Sequence, residues 1–398
     1  LELTDDYGRK RAIIKNVQPE IDSGKFPIKR SVGEKVVVEA DIFADGHEAL
    51  SGVLLYRQEG ETKWTETTMS FLGNDRWQGE FAVTELISYQ YSVQAWLDKF
   101  KSCGNGLRKK AEAGQDVSVD LLTGADLIEE AAERATDPDA KKLQQLAATL
   151  RSEEEPVKKK IKLVLDDKNG ALVARYPDRE LATDYERELQ VVVDRQRAGF
   201  STWYEMFPRS CSAEPGKHGT FKDCEARLAY VAAMGFDVLY LPPIHPIGRS
   251  HRKGKNNSAT AGPDDPGSPW AIGAQEGGHK DIHLQLGTLE EFRQLISAAQ
   301  KSGLEIAIDL AFQCSPDHPY VKEHPEWFLW RPDKTVQYAE NPPKKYEDIY
   351  PFDFENGRWQ ELWDELKDVL FCWLQQGVRI FRVDNPHTKP FRFWAWVI

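Results

Sequence analysis

From about residue 199 onward, short apolar runs alternate with longer amphipathic stretches, and this order constrains the fold more than any other feature of the chain. The runs are Asp237-Val238-Leu239-Tyr240-Leu241, Leu304-Glu305-Ile306-Ala307-Ile308-Asp309-Leu310 and Val378-Arg379-Ile380-Phe381-Arg382-Val383-Asp384. A strand with apolar residues on both faces must be covered on both, as in a parallel sheet flanked by helices. Thr202-Trp203-Tyr204-Glu205-Met206-Phe207 adds a shorter strand ahead of them. Residues 221–234, 289–300 and 359–375 have the spacing of the intervening helices, and Gly303 and Gly377 close the last two. The long loops all follow strands, on the side where a (β/α)8 barrel builds its active site.

The first half has a different rhythm. Residues 77–83 and 89–96 alternate roughly with period two, residues 35–43 mix β-branched and aromatic side chains, residues 52–57 follow as a further strand, and Gly73-Asn74-Asp75 marks a turn. This is the pattern of an antiparallel β-sandwich, with strands continuing to about residue 110. Residues 117–151 are rich in Ala, Leu, Glu and Lys at helical spacing, and Asp137-Pro138-Asp139 reads as a helix start. Strand character returns at residues 189–195. The expected organisation is a β-sandwich at 1–112, a helical-bundle insertion at 113–185, a return strand of the sandwich at 186–198, and a barrel from 199 to 398. The last segment is short of the ~250 residues typical of a (β/α)8 barrel, so only about its first four βα units are expected.

Composition limits the partners. With 52 Lys plus Arg against 64 Asp plus Glu, the net charge is −12, so no nucleic-acid partner is expected. No apolar run reaches the ~18 residues of a membrane span, and the polar start from Leu1 to Arg11 predicts no signal peptide. The first residue is not Met, so trimming or processing is expected. The five cysteines are odd in number and scattered, which predicts reduced thiols in a cytoplasmic protein. His318 and His324 lack ligand spacing, so no metal is expected, nor any cofactor.

The chemistry points to Phe381-Arg382-Val383-Asp384. Arg382 and Asp384 are two residues apart and share one side of a strand. A guanidinium there holds the carboxylate ionised and oriented, as a glycosidic nucleophile requires. Read alone, the pair could equally be structural.

Phe381 to Asp384 resembles the nucleophile motif of the α-amylase superfamily, glycoside hydrolase family 13. Asp309-Leu310-Ala311-Phe312-Gln313-Cys314 resembles its first motif, with Gln313 and Cys314 in the usual Asn and His places. Longer stretches resemble one subfamily, the α-1,4-glucan:maltose-1-phosphate maltosyltransferases. They include 241–248, 252–257, 267–273, 313–319, Asn341-Pro342-Pro343-Lys344-Lys345-Tyr346 and 383–390. The resemblance implies Asp384 as nucleophile, oriented by Arg382, and Ser268, Asn341, Lys344 and Tyr346 as the phosphate pocket. Lys253, Gln313, Asp348 and Asn385 match sugar-binding positions, and Asp309 is expected to be buried and structural. It further implies α-maltose 1-phosphate as donor, an α-1,4-glucan as acceptor, and a homodimer.

In that superfamily the acid/base Glu follows the fifth strand. This sequence stops at Ile398, after the fourth, and Glu205 and Glu276 do not match the acid position, so the chain alone is expected to be inactive. Two other readings stay open at this point. One is an amylase-type hydrolase, against which Gln313-Cys314 counts, and the other is a non-catalytic carbohydrate-binding protein.

Overall fold

The computed structural model describes residues 7–398. Leu1 to Asp6, which open both the polar start and the expected sandwich, lie outside the described residues. There are two compact units, one ending at Gly199 and one running from Phe200 to Ile398.

The first unit holds β1 (Ile13–Gln18), β2 (Ile28–Ser31), β3 (Lys35–Phe43), β4 (Leu50–Gln58), β5 (Thr65–Thr68), β6 (Ser70–Gly73), β7 (Arg76–Ala82) and β8 (Tyr89–Leu97). Helices α1 (Lys99–Glu112), α2 (Ser118–Arg134), α3 (Asp139–Arg151), α4 (Val157–Val164) and α5 (Asp167–Val173) follow, then β9 (Thr183–Asp184), β10 (Leu189–Asp194) and α6 (Gln196–Gly199). The strands form two sheets, ordered β1-β3-β7-β6 and β2-β10-β8-β4-β5, with β9 also on β8. Alternation builds the core between them. Val36, Val38, Ala40 and Ile42 of β3 are buried together with Leu54, Tyr91, Val93 and Val191 of the second sheet. After the helices, β10 returns to lie antiparallel to β8 and parallel to β2. The helices keep a separate core around Leu107, Leu121, Ile128, Leu143 and Leu150.

Strands were expected to about residue 110, but α1 already begins at Lys99. The Asp98 carboxylate accepts the Lys101 backbone N–H at 2.9 Å and caps the helix. Only Leu107 is buried along α1, so no apolar stripe announces it.

The second unit runs β11 (Trp203–Glu205), α7 (Phe221–Ala233), β12 (Val238–Leu241), α8 (Leu289–Lys301), β13 (Glu305–Leu310), β14 (Gln313–Cys314), α9 (Pro319–Glu323), β15 (Ala339–Asn341), β16 (Lys344–Tyr346), β17 (Tyr350–Pro351), α10 (Trp359–Gln375), β18 (Ile380–Val383) and α11 (Phe391–Val397). Its main sheet is parallel throughout, in the order β11-β12-β13-β18. Among the described residues β11 and β18 are edges, each paired on one side. All four residues of β12 are buried, as its apolar run requires. Capping boxes start the helices: Thr220 with Asp223 opens α7, and Thr288 with Glu291 opens α8. Gly303 at φ 77° and Gly377 at φ 99° follow α8 and α10 in the left-handed region that favours glycine. Trp373 is fully buried, whereas Trp359, at the first position of α10, is exposed and Trp363 is only partly buried. No helix among the described residues is long and apolar enough to cross a membrane.

Candidate active site

Parallel register brings the first part of the site together. Asp309 on β13 and Arg382 on β18 are directly paired positions. Arg382 Nη1 donates to Asp309 Oδ2 at 3.1 Å and to Asp384 Oδ1 at 2.7 Å. The Tyr240 hydroxyl, from β12, donates to the same Asp309 oxygen. The Asp384 backbone N–H donates to Leu310 O at 3.0 Å, extending the ladder one residue past β18. Asn385 then turns the chain at φ 44°, and its Nδ2 donates to Asp384 Oδ2 at 3.2 Å. Both Asp384 oxygens therefore face donors that orient the carboxylate.

Asp309 is 1% exposed, and its pKa is pushed up to about 6, chiefly by burial. The Tyr240 hydrogen bond and the Arg382 charge pull it down, and the Asp384 charge adds to the rise. A guanidinium at 3.1 Å would by itself lower a carboxylate pKa; here desolvation wins because the Asp309 side chain has no access to water. Burial opposes the charge on Arg382, but Asp384 and Asp309 outweigh it and hold its pKa above the usual range.

Asp384 and Asn385 open into a cleft of about 1290 Å³ within the second unit. Lys253, Ser268, Gln313, Asn341, Tyr346 and Asp348 also line it. These residues come from the loops after β12 and β13, which explains their wide separation in sequence. Of the residues expected to form the site, Arg382 and Lys344 do not line the cleft. Arg382 is behind Asp384 through its ion pair, and Lys344 is the register partner of Asn341 in the β15–β16 hairpin. Arg209 Nη1 donates to Gly267 O at 2.8 Å and secures the turn ahead of Ser268. Asp348 is buried, which raises its pKa against the opposing charges of Lys253 and His251. One of its oxygens has no partner among the described residues.

Sequence reasoning missed Tyr240, Trp270, Phe312 and Lys389. Tyr240 sits in a run read only as apolar. Trp270, Phe312 and Lys389 line the cleft. Lys389 is nearly inaccessible, and its Nζ donates to Thr388 Oγ1 at 2.9 Å and to Asn385 O at 3.4 Å. Burial pushes its pKa down to about 8, opposed by the charges of Asp384 and Asp309. Its position within the 383–390 stretch was the available signal.

Chemically, the cleft sets the oriented Asp384 carboxylate among amides, hydroxyls, lysines and further carboxylates such as Asp348. Such groups suit a polyhydroxylated ligand, and hydroxyl, amide and phenol donors also suit a phosphate.

Comparison with known proteins follows the two units. Residues 10–195 match the family described as alpha-1,4-glucan:maltose-1-phosphate maltosyltransferase, domain N/S, and residues 205–366 match the alpha amylase catalytic domain. An alpha-1,4-glucan:maltose-1-phosphate maltosyltransferase from Chlorobaculum tepidum is 53% identical over 391 residues, covering 98% of this chain and 58% of the relative. One from Methylacidiphilum infernorum is 52% identical over 393 residues, with the same 98% and 58% coverage. Among solved structures, an alpha-amylase from Lactobacillus plantarum is 29% identical, with a TM-score of 0.41, covering 50% of this chain and 41% of that one. The chain spans 58% of the length of these two curated relatives. It thus matches, over nearly its whole length, the N-terminal portion of the alpha-1,4-glucan:maltose-1-phosphate maltosyltransferases, with their N/S domain first and an alpha-amylase-type catalytic domain after it.

Proposed function

We propose that this chain carries the donor site and the nucleophile of a retaining transferase. The transferase moves maltosyl units from α-maltose 1-phosphate to the non-reducing 4-hydroxyl ends of α-1,4-glucans. The observation that carries the proposal is Asp384, held by Arg382 at 2.7 Å and Asn385 at 3.2 Å, opening into a large cleft lined by both polar and aromatic side chains. On this reading Asp384 attacks the anomeric carbon. The bond from that carbon to the phosphate oxygen breaks, inorganic phosphate leaves with the electron pair, and a β-maltosyl ester forms. The acceptor 4-hydroxyl then displaces Asp384, loses its proton to an acid/base group, and restores the α configuration. Ser268, Asn341, Lys344 and Tyr346 would receive the phosphate, and Lys253, Gln313, Asp348 and Asn385 the sugar.

The four parallel strands are, on the same reading, the first four βα units of a (β/α)8 barrel. The division at 1–112, 113–185, 186–198 and 199–398, a homodimer and a cytoplasmic setting belong to it too. A retaining mechanism needs a second carboxyl group about 5–5.5 Å from the nucleophile. Glu205 and Glu276 do not line the cleft, and Glu276 is paired with Arg249 at 3.0 Å. Asp265, Glu340 and Asp348 do line it, on segments after β12 and β13, whereas the superfamily's acid follows a fifth strand, so this chain is proposed to bind the donor without sustained turnover. Calorimetry with α-maltose 1-phosphate tests the donor site: binding should be weakened in Lys253→Ala, whose side chain lines the cleft, and persist in Asp384→Asn. Phosphate release with glycogen as acceptor tests the rest, and robust turnover by this chain would sink the missing-acid part.

A further inference from the structure

Beneath the cleft floor lies a chain of buried imidazoles with no assigned task. His279, His318 and His245 are each about 3% exposed or less. His279 Nε2 lies 3.0 Å from Ala311 O and 2.9 Å from Gln313 O. Both carbonyls only accept, so Nε2 carries the hydrogen and donates to the pair. His279 Nδ1 must then be the acceptor, and it lies 3.1 Å from His318 Nε2, which therefore donates. His318 Nδ1 in turn accepts the Tyr320 backbone N–H at 3.1 Å. The hydrogen bonds run one way, Tyr320 to His318 to His279 to the two carbonyls. Both rings must be neutral for this order to hold, and burial favours that form, lowering the pKa of His279 to about 4 and of His318 to about 2.

The far end of this relay is the tight turn that presents Phe312 and Gln313 to the cleft. The Gln313 backbone N–H donates to Ala311 O at 2.9 Å, so residues 311–313 fold back within three positions. His279 clamps the carbonyls at both ends of that turn. The near end is packed closely: a Cβ at Gly273 or Gly278 would meet the His318 ring at 2.1 or 2.3 Å. His279 is fixed from behind as well, because Trp373 Nε1 of α10 donates to its backbone carbonyl at 2.8 Å.

We propose that His279 and His318 are positioning residues for the sugar-binding face of the cleft, acting by holding the 311–313 turn so that the Gln313 side chain meets the donor. This rests on the donor site proposed above. It assigns the two histidines no contact with substrate and no proton transfer.

Two measurements on the 398-residue chain test it. The first needs no ligand: ¹⁵N NMR of the imidazoles near neutral pH should show His279 and His318 neutral, each with its hydrogen on Nε2. A protonated ring, or a hydrogen on Nδ1, overturns the relay. The second compares His279→Phe and His279→Gln, which keeps a donor, for binding of α-maltose 1-phosphate and of inorganic phosphate. His279→Phe should weaken the sugar phosphate about 10-fold or more while leaving inorganic phosphate unchanged, with recovery in His279→Gln, as expected when a positioned hydrogen bond is lost. The loss should also be absent in a Gln313→Ala background, where there is no amide left to position. Equal weakening of both ligands, or full additivity with Gln313→Ala, overturns the positioning role. If the unmodified chain does not bind α-maltose 1-phosphate, the donor-site proposal fails and takes the positioning role with it, while the NMR result still decides the relay. His318→Gln serves if His279→Phe does not fold.

Discussion

Replacing Asp309 by Asn should make the protein more stable at neutral pH, although it removes half of an ion pair. Asp309 is inaccessible to water and its pKa is pushed up from the ordinary 3.8 to about 6. A folded-state pKa above the unfolded one means that the folded protein binds the proton more tightly. The stabilisation is complete below the unfolded value and is lost as pH rises through about 6. The difference, 3.8 to about 6, corresponds to about 3 kcal/mol between acid and neutral pH. Asn cannot ionise, yet its amide oxygen can still accept from Tyr240 and Arg382. The Asp309→Asn variant should therefore match the parent near pH 4 and exceed it by up to about 3 kcal/mol near pH 7.5. Urea unfolding followed by tryptophan fluorescence reads this directly, since most of the 12 tryptophans lie in the second unit. Other titrating groups act in both proteins and cancel in the difference. A variant that is less stable near neutral pH, or a difference that stays flat across this range, would refute the reasoning. It would mean that pairing with Arg382 outweighs burial.

The histidines should behave in the opposite sense. His279 has a folded pKa near 4 against an ordinary 6.5, so its contribution is present above 6.5 and lost as pH falls toward 4, about 3.4 kcal/mol in all; comparing the unfolding midpoints of the parent and His279→Gln across that window checks it. Lys389, with a pKa near 8, should lose its charge just above neutrality. Binding of α-maltose 1-phosphate is therefore expected to weaken as pH rises through about 8 in the parent and to lose that alkaline limb in Lys389→Met.

Much of this was legible because strands and their ends obey local rules. The run from Asp237 to Leu241 is apolar without alternation, so a parallel position could be assigned from it alone, and β12 is buried throughout. Arg382 and Asp384 are two residues apart, and strand geometry sets them on one side. The features that escaped depend on distance. His279 and His318 are 39 residues apart and meet only when two loops fold together. Lys389 looks like any surface lysine, because charge type carries no sign of burial. Helix α1 contains Gly104 and Gly106 and lacks an apolar stripe, so local propensity spoke against it, and the Asp98 cap with packing of Leu107 decided otherwise.

β18 has a consequence of its own. It ends one residue before Asp384, and among the described residues its backbone is hydrogen-bonded on one side only, to β13. A strand restrained from a single side breathes more readily than one locked between two neighbours. Its open side also offers a row of backbone donors and acceptors to any strand that approaches. The stiffness of the proposed nucleophile is therefore shared property. Arg382 and Asn385 aim the carboxylate, but how firmly that aim is held depends on what pairs with the other edge of β18.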